Sequence, residues 1–164
     1  MFVEGLNTSP FPSRVTFLLG LLAVLLCPSC RTIPPFPPAD FTAPGWRVHH
    51  GQAIWKPANS KPELVGELLL ATNASGDFFV EFTKTPFTLV TVRGNGGRWQ
   101  IEFPWGEYTR RGTGEPPERF VWFELPRYLG GAKAAGGWEF SRAGEFWRIE
   151  NARTGERLEG RFFP

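Results

Sequence analysis

The sequence has no cysteine beyond position 30. Its only two cysteines, Cys27 and Cys30, lie near the N-terminus, so disulfides do not hold the body of the chain together. The net charge is only +2, which gives no electrostatic basis for a nucleic-acid partner. The glycines of residues 110–115 match neither a Walker loop nor a dinucleotide-binding fingerprint. We interpret them as turn residues.

A recognisable set of metal ligands or catalytic groups is also missing. The two histidines, His49 and His50, are adjacent, and adjacent residues of a strand point to opposite faces of a sheet. Catalysis on a β scaffold needs a nucleophile or a carboxylate pair with a base in reach. A solvent-exposed strand face accounts for each of four candidate carboxylates: Glu81, Glu102, Glu107 and Glu150. We therefore predict that the protein is not an enzyme and holds neither a metal nor a cofactor.

Phenylalanine and tryptophan are abundant, with 16 and 7 copies against 2 tyrosines and 1 methionine. This aromatic content requires much apolar surface to be buried in a core, against a ligand or in a membrane. The 19 glycines and 16 prolines are dispersed through turns, which favours short strands over long helices. A chain of 164 residues suits one domain.

Residues 63–103 contain four strand-like runs separated by turn-forming clusters. Their alternation predicts that one face of the sheet is apolar and the other is wet. Two sets of apolar side chains recur at every second position: Phe78, Val80 and Phe82, and then Trp99, Ile101 and Phe103.

Further strands are predicted at residues 46–55, 138–141, 145–150 and 156–163, and a polar loop at residues 110–115. Together these segments predict a mainly β (α+β) fold. We expect a curved antiparallel sheet of about seven to nine strands, or half-barrel, with one or two short plug helices.

The one good helix candidate covers residues 117–125. Proline suits its first turn, Glu118 suits its positive N-terminal end, and Pro126 is expected to stop it. Phe120, Phe123 and Trp122 would lie on its apolar side. The run Phe-Val-Trp-Phe has high β propensity, so a strand is the alternative.

Residues 1–29 predict a lipoprotein-type signal peptide. Arg14 precedes an uncharged apolar stretch over residues 15–26, which is too short to span a bilayer comfortably. The following Ser29-Cys30 resembles the lipobox of bacterial lipoproteins, in which the cysteine becomes the lipidated first residue. Cys30 is the favoured lipidation site, and Cys27, which follows Leu26, is the second candidate. A plain secretory signal or an uncleaved membrane anchor is the alternative.

Residues 30–45 predict an extended tether, because five prolines within residues 31–45 forbid a helix. The alternative is an N-terminal arm that lies on the domain and docks through Phe36 and Phe41. Residues 46–164 then form the β domain.

The domain resembles the LolA/LolB superfamily. The resemblance covers residues 46–163 and rests on a pattern of segments: Gly66-Glu-Leu-Leu-Leu, Gly76-Asp-Phe-Phe-Val-Glu-Phe, Phe87-Thr-Leu-Val and Arg98-Trp-Gln-Ile-Glu-Phe-Pro104. Members are periplasmic carriers and receptors of lipoprotein sorting, built as a curved half-barrel with helices on its open side. The resemblance implies the same architecture and a lipid ligand here.

We therefore expect an envelope protein that is lipid-anchored and faces the periplasm, on the outer rather than the inner membrane. Its ligand would be an acyl chain or the lipid of a lipoprotein, and its partners would include no nucleic acid. The alternative is a non-catalytic structural or assembly lipoprotein with a closed aromatic core. The predicted hydrophobic groove is lined by Phe78, Val80, Phe82, Trp99, Ile101, Phe103, Phe120 and Phe123.

Overall fold

Residues 33–58, 61–133 and 136–164 are described by a computed structural model. The predicted signal peptide and both cysteines lie outside the described residues. The described part of the chain belongs to one compact unit, Ile33–Pro164.

Nine strands form a single antiparallel sheet in the spatial order β6-β5-β4-β3-β2-β1-β9-β8-β7. The sheet is curved and does not close, and with 51% strand and 9% helix the predicted mainly β class is confirmed. The C-terminal strands lie close to the segments predicted for them. The strands are β1 (Arg47–Lys56), β2 (Leu64–Thr72), β3 (Phe78–Lys84), β4 (Phe87–Asn95), β5 (Arg98–Phe103), β6 (Tyr108–Thr113), β7 (Trp138–Ala143), β8 (Phe146–Asn151) and β9 (Arg157–Phe162).

The register places the apolar side chains on one face. Directly opposite residues of antiparallel strands share a face. One row of such partners crosses β2 to β5 and consists of Leu70, Val80, Val92 and Ile101. All four are at most 1% exposed, so this face is the core side of the sheet. We call it the inner face and the opposite one the outer face.

The described residues contain one α-helix, α1 (Val121–Leu129), which packs on the inner face. The ring centroid of Trp122 lies 5.2 Å from those of Phe82 and Trp55. Phe123 makes an edge contact with Trp99 at 5.6 Å. The helix therefore supplies the second layer of the core.

The predicted bounds of this helix are wrong. It begins at Val121 and continues through Pro126 to Leu129, whereas residues 117–120 precede it. A proline in a helix interior removes a backbone hydrogen bond and crowds the preceding turn. Pro126 is buried along with most of the helix, so packing against the sheet offsets this local cost.

The polar loop predicted for residues 110–115 is also wrong over most of its length, because β6 extends to Thr113. This edge strand is largely exposed and carries Arg110 and Arg111, so it has little apolar alternation to identify it. Its pairing with β5 is antiparallel and continuous from Tyr108 to Thr113. Charged residues on an edge strand also discourage pairing with another chain.

Residues 33–45 contain no helix or strand, and they contact the outer face. The Phe36 amide donates to Gln100 Oε1 at 3.3 Å, and an Arg93 guanidinium nitrogen donates to the Pro37 carbonyl at 2.6 Å. The Phe41 ring lies 5.1 Å from that of Phe79. These contacts are those expected of an arm that lies on the domain. We call residues 33–45 the arm.

Candidate functional site

All eight residues of the predicted groove lie on the inner face or on the segment that covers it. Four of them are at most 1% exposed: Val80, Phe82, Ile101 and Phe123. The other four, Phe78, Trp99, Phe103 and Phe120, are partly buried and pack against the core. The structure therefore brings the set together.

The centre of this set is a closed core rather than an open channel. The rings of Phe82 and Trp122 lie 5.2 Å apart, and those of Trp55 and Phe103 stack at 6.3 Å. Phe120 and Phe123, at 6.2 Å, close the same cluster from the helix side. Because α1 covers this part of the sheet, the four side chains that are at most 1% exposed offer no surface to a ligand.

An open cleft of about 550 Å³ lies on the inner face beside the C-terminal end of α1. We call it the inner cleft. Its volume falls within the range of about 300–1,000 Å³ that is usual for small-molecule sites. Phe78 is the member of the predicted groove set that lines it. Its apolar lining residues are Leu70, Phe78, Pro126, Leu129 and Phe162.

The end of α1 explains why the inner cleft is open. The helix ends at Leu129, and the amides of Gly130 and Gly131 donate to the carbonyls of Pro126 and Tyr128. Beyond this end no helix of the described residues lies above the inner face, although the strands continue. The beginning of β1 lies here, with Arg47 opposite Thr72 on β2.

The rim of the inner cleft is mostly basic. Asp77 is the one acidic residue in the lining, and its carboxylate accepts a hydrogen bond from Asn73 at 2.9 Å. The basic lining residues come from β1, α1 and β7: Arg47, His49, Arg127 and Arg142.

One of these basic groups is already paired. Arg127 bonds Glu124 at 3.1 Å, and the Glu124 side chain is 1% exposed. Burial raises the pKa of Glu124, and the neighbouring Arg127 guanidinium opposes that rise. Within the described residues, neither Arg47 nor Arg142 has a carboxylate within 4.0 Å. Two cationic side chains of the rim are therefore free of an ion pair.

The two histidines lie on opposite faces, as expected for neighbours in a strand. His49 is opposite Leu70 and lines the inner cleft, with its ring 5.4 Å from that of Phe162. His50 is opposite Leu69 on the outer face. In the described part of the chain, no group of three or more His, Cys, Asp and Glu residues is arranged to hold a metal ion.

A second concavity, of about 500 Å³, lies over β7, β8, β9, β1 and β2. Phe146 and Val65 form its exposed apolar part, at 60% and 58% exposure. Of its charged side chains, Arg148 pairs with Glu159 at 3.7 Å, whereas Arg142 and Arg161 form no ion pair with the described residues. This surface therefore also carries unpaired basic side chains, and Arg142 lines both concavities.

No protein-family model matches the chain, and no curated protein matches it significantly. No helix among residues 33–58, 61–133 and 136–164 has the length and apolar character that crossing a membrane requires.

Sequence reasoning missed most of the inner cleft. In β1 the apolar residues Val48 and Ile54, which an alternating pattern would assign to the core, lie on the outer face. The alternate positions Arg47 and His49 face inward. A strand that places charged residues on the core side of a sheet indicates that the core is open there and has a polar rim.

Proposed function

We propose that this protein is a lipid-anchored envelope protein of bacteria that faces the periplasm and binds a hydrophobic ligand in the inner cleft. The anchor is Cys30, and the membrane is the outer rather than the inner one. The ligand is an acyl chain, free or as part of a lipoprotein, and the process served is lipid or lipoprotein trafficking. The resemblance to the LolA/LolB superfamily supports this proposal.

The observation that carries the proposal is an open cleft of about 550 Å³ with an apolar floor. Leu70 is buried, and Phe78, Leu129 and Phe162 are partly buried beside it. An acyl chain placed on this floor would gain about 0.8 kcal/mol for each CH₂ group that it buries. The closed core next to the cleft keeps the floor in place without a ligand.

A structural or assembly role is the second candidate. It is favoured by the burial of Val80, Phe82, Ile101 and Phe123, four residues of the predicted groove that pack in the core. In that case the inner cleft is only the uncovered end of a two-layer fold. The two candidates differ in whether the cleft takes up an acyl chain.

Photo-crosslinking on the full-length protein distinguishes them. The protein is placed in phosphatidylcholine nanodiscs and labelled with a fatty acid that carries a diazirine near its chain end. We expect saturable labelling, competed by unlabelled oleate, on peptides that contain Leu70, Leu129 or Phe162. These residues come from three separate elements, so labelling of all three peptides identifies the cleft.

A blocking variant gives the control. Thr72 is partly buried and lines the cleft, so Thr72→Trp fills it without removing a core side chain. We expect this variant to lose most of the labelling, whereas Thr109→Trp on the exposed edge strand keeps it. Labelling that does not saturate, or that Thr72→Trp leaves unchanged, would contradict a carrier role and support the structural one.

A further inference from the structure

The rim of the inner cleft has an excess of positive charge that the fold itself does not use. Arg47 begins β1, and the register places it on the inner face opposite Thr72. Arg142 lies near the end of β7, opposite the buried Trp147. Both residues line the same cleft, although 95 positions separate them in the sequence (142 − 47 = 95).

These two arginines differ from several arginines of the outer face. Arg111, Arg148 and Arg157 each lie within 4.0 Å of a glutamate. Arg142 donates instead to the carbonyl of Gly144 at 3.2 Å, through Nε. Arg47 forms no ion pair or side-chain hydrogen bond with the residues that the structure describes. Their remaining guanidinium donors are available to a ligand.

The one acidic group of the cleft offsets only part of this charge. The Asp77 carboxylate accepts from the Asn73 side chain, in a turn that also binds the Asn73 oxygen to the Asp77 amide at 2.9 Å. Arg127 is held by Glu124. Arg127 and Glu124 compensate each other, and Asp77 offsets one of the two charges of Arg47 and Arg142, so the rim keeps a net positive charge.

We propose that the inner cleft selects an amphiphile with an anionic oxygen headgroup, a carboxylate or a phosphate. The chain lies on the apolar floor, and the headgroup is held at the rim by Arg47 and Arg142. A guanidinium presents paired N–H donors that match both headgroups, and its charge strengthens the hydrogen bonds. This inference rests on the proposed function and narrows its ligand from any acyl chain to an anionic one.

The test compares charged and uncharged probes on the same protein. Full-length protein in phosphatidylcholine nanodiscs is labelled with three diazirine probes of equal chain length: a fatty acid, its methyl ester and a lysophosphatidic acid. The variants are Arg47→Gln and Arg142→Gln, both at exposed side chains, with Arg153→Gln in the exposed β8–β9 turn as the matched control.

We expect each rim variant to raise the concentration for half-maximal labelling about tenfold for an anionic probe. For the methyl ester this concentration should change less than about twofold. Arg153→Gln should behave as the parent protein with every probe. The comparison of the fatty acid with lysophosphatidic acid shows which headgroup the rim prefers.

Three results would overturn the inference, and they separate it from the proposed function. If labelling by the methyl ester falls in the rim variants as strongly as labelling by the anionic probes, the arginines act through the shape of the cleft and not through their charge. If inorganic phosphate displaces the anionic probes, the rim binds a free anion and not an amphiphile. Either outcome leaves chain binding intact, whereas failure of all three probes to label the cleft removes the proposed function as well.

Discussion

Single residues on the inner face have two different roles, and burial separates them. Ile101 and Phe82 are fully buried beneath α1, whereas Phe78 and Leu129 are partly buried at the cleft. A polar substitution in the first group removes core packing and leaves a charge without water. The same substitution in the second group faces an opening. Substitutions at the buried positions should therefore lower stability, whereas substitutions at the cleft should weaken ligand binding.

Ile101→Asp should unfold the domain or destabilise it by at least about 3 kcal/mol, because it buries a carboxylate with no partner. Phe82→Asp should do the same, since both side chains are 0% exposed. The measurement is chemical denaturation, with Thr109→Asp on the exposed edge strand as the control. Near-parental stability for Ile101→Asp would mean that water reaches this part of the inner face.

Glu156 is a residue whose environment should make the stability of the fold depend on pH. Burial raises the pKa of its carboxyl above the usual 4.5, and the hydrogen bond from Trp55 Nε1, at 3.2 Å, opposes the rise. A raised pKa means that the folded protein binds this proton more tightly than the unfolded chain does. Protonation of Glu156 therefore stabilises the fold. The stabilisation is complete below the unfolded-state pKa and is lost as the pH rises through the folded-state pKa.

Glu156→Gln removes this titration and keeps an oxygen that accepts from Trp55. Relative to the variant, the parent protein should therefore gain stability as the pH falls from 7 toward 4. Urea denaturation at several pH values measures the difference between the two proteins. The contribution of Glu124, whose pKa burial also raises, is common to both and cancels. A difference that does not change with pH would contradict the prediction, and Glu115→Gln at an exposed site controls for loss of charge.

At the scale of elements, aromatic rings on one strand lie over glycines on the next. A Cβ added to Gly94 of β4 would overlap the ring of Phe78 on β3, its direct partner. Gly112 of β6 stands in the same relation to Trp99 of β5. Each glycine leaves space for a ring that would otherwise stand away from the sheet. The ring in turn covers backbone that the glycine leaves bare.

Gly94→Ala should destabilise the domain by about 1–3 kcal/mol, because the Phe78 ring has to move out of a packed position. The control is Gly96→Ala in the following turn, where an added Cβ would meet no atom within 4 Å. We expect the control to change stability by no more than about 0.5 kcal/mol. Thermal or chemical denaturation of both variants measures this, and equal stability of the two would contradict the close packing of Phe78.

Elements with an alternating pattern could be predicted from the sequence, because one buried face imposes a period of two on a strand. This is why β3 and β5, which carry Phe78 and Trp99 on the inner face, were predicted correctly. Strand β6 lacks that pattern and is held by backbone pairing with β5, which depends on a partner and not on its own residues. The extension of α1 through Pro126 also depends on tertiary packing, which local propensity does not include.

The inner cleft is harder to predict than any element. Its lining comes from several elements that are distant in sequence, including β1, β2, α1, β7 and β9. Alternation identifies which residues of a strand share a face, but it does not say where a helix stops covering that face. The inner cleft therefore lies in a different place from the predicted groove, because α1 covers most of the groove residues and ends before the cleft.

At the scale of the molecule, both faces of the sheet are partly covered. The helix α1 covers part of the inner face, and the arm contacts the outer face over β3, β4 and β5. Arg98 adds to the arm contacts, with its guanidinium 4.6 Å from the centre of the Phe36 ring. Phe36, which makes two contacts with β5, lies six residues after Cys30 (36 − 30 = 6).

This spacing limits how far the domain can stand from its proposed anchor. Six residues of fully extended chain span at most about 20 Å. With the lipid on Cys30 and Phe36 bound to the outer face, β3 to β5 would remain near the bilayer surface. An arm free of the sheet would extend that reach to the beginning of β1 at Arg47.

The anchor itself is tested by fractionation. Cys30→Ala should release the protein from the membrane fraction, because it removes the thiol that the proposed lipidation requires, whereas Cys27→Ala should leave the protein bound. Mass spectrometry of the N-terminal peptide identifies the acylated residue directly. The opposite result, with Cys27→Ala released and Cys30→Ala retained, would move the anchor to Cys27 and lengthen the connection to Phe36 to nine residues (36 − 27 = 9). The maximum reach would then rise to about 30 Å, so the choice of cysteine decides how closely the outer face is held to the membrane.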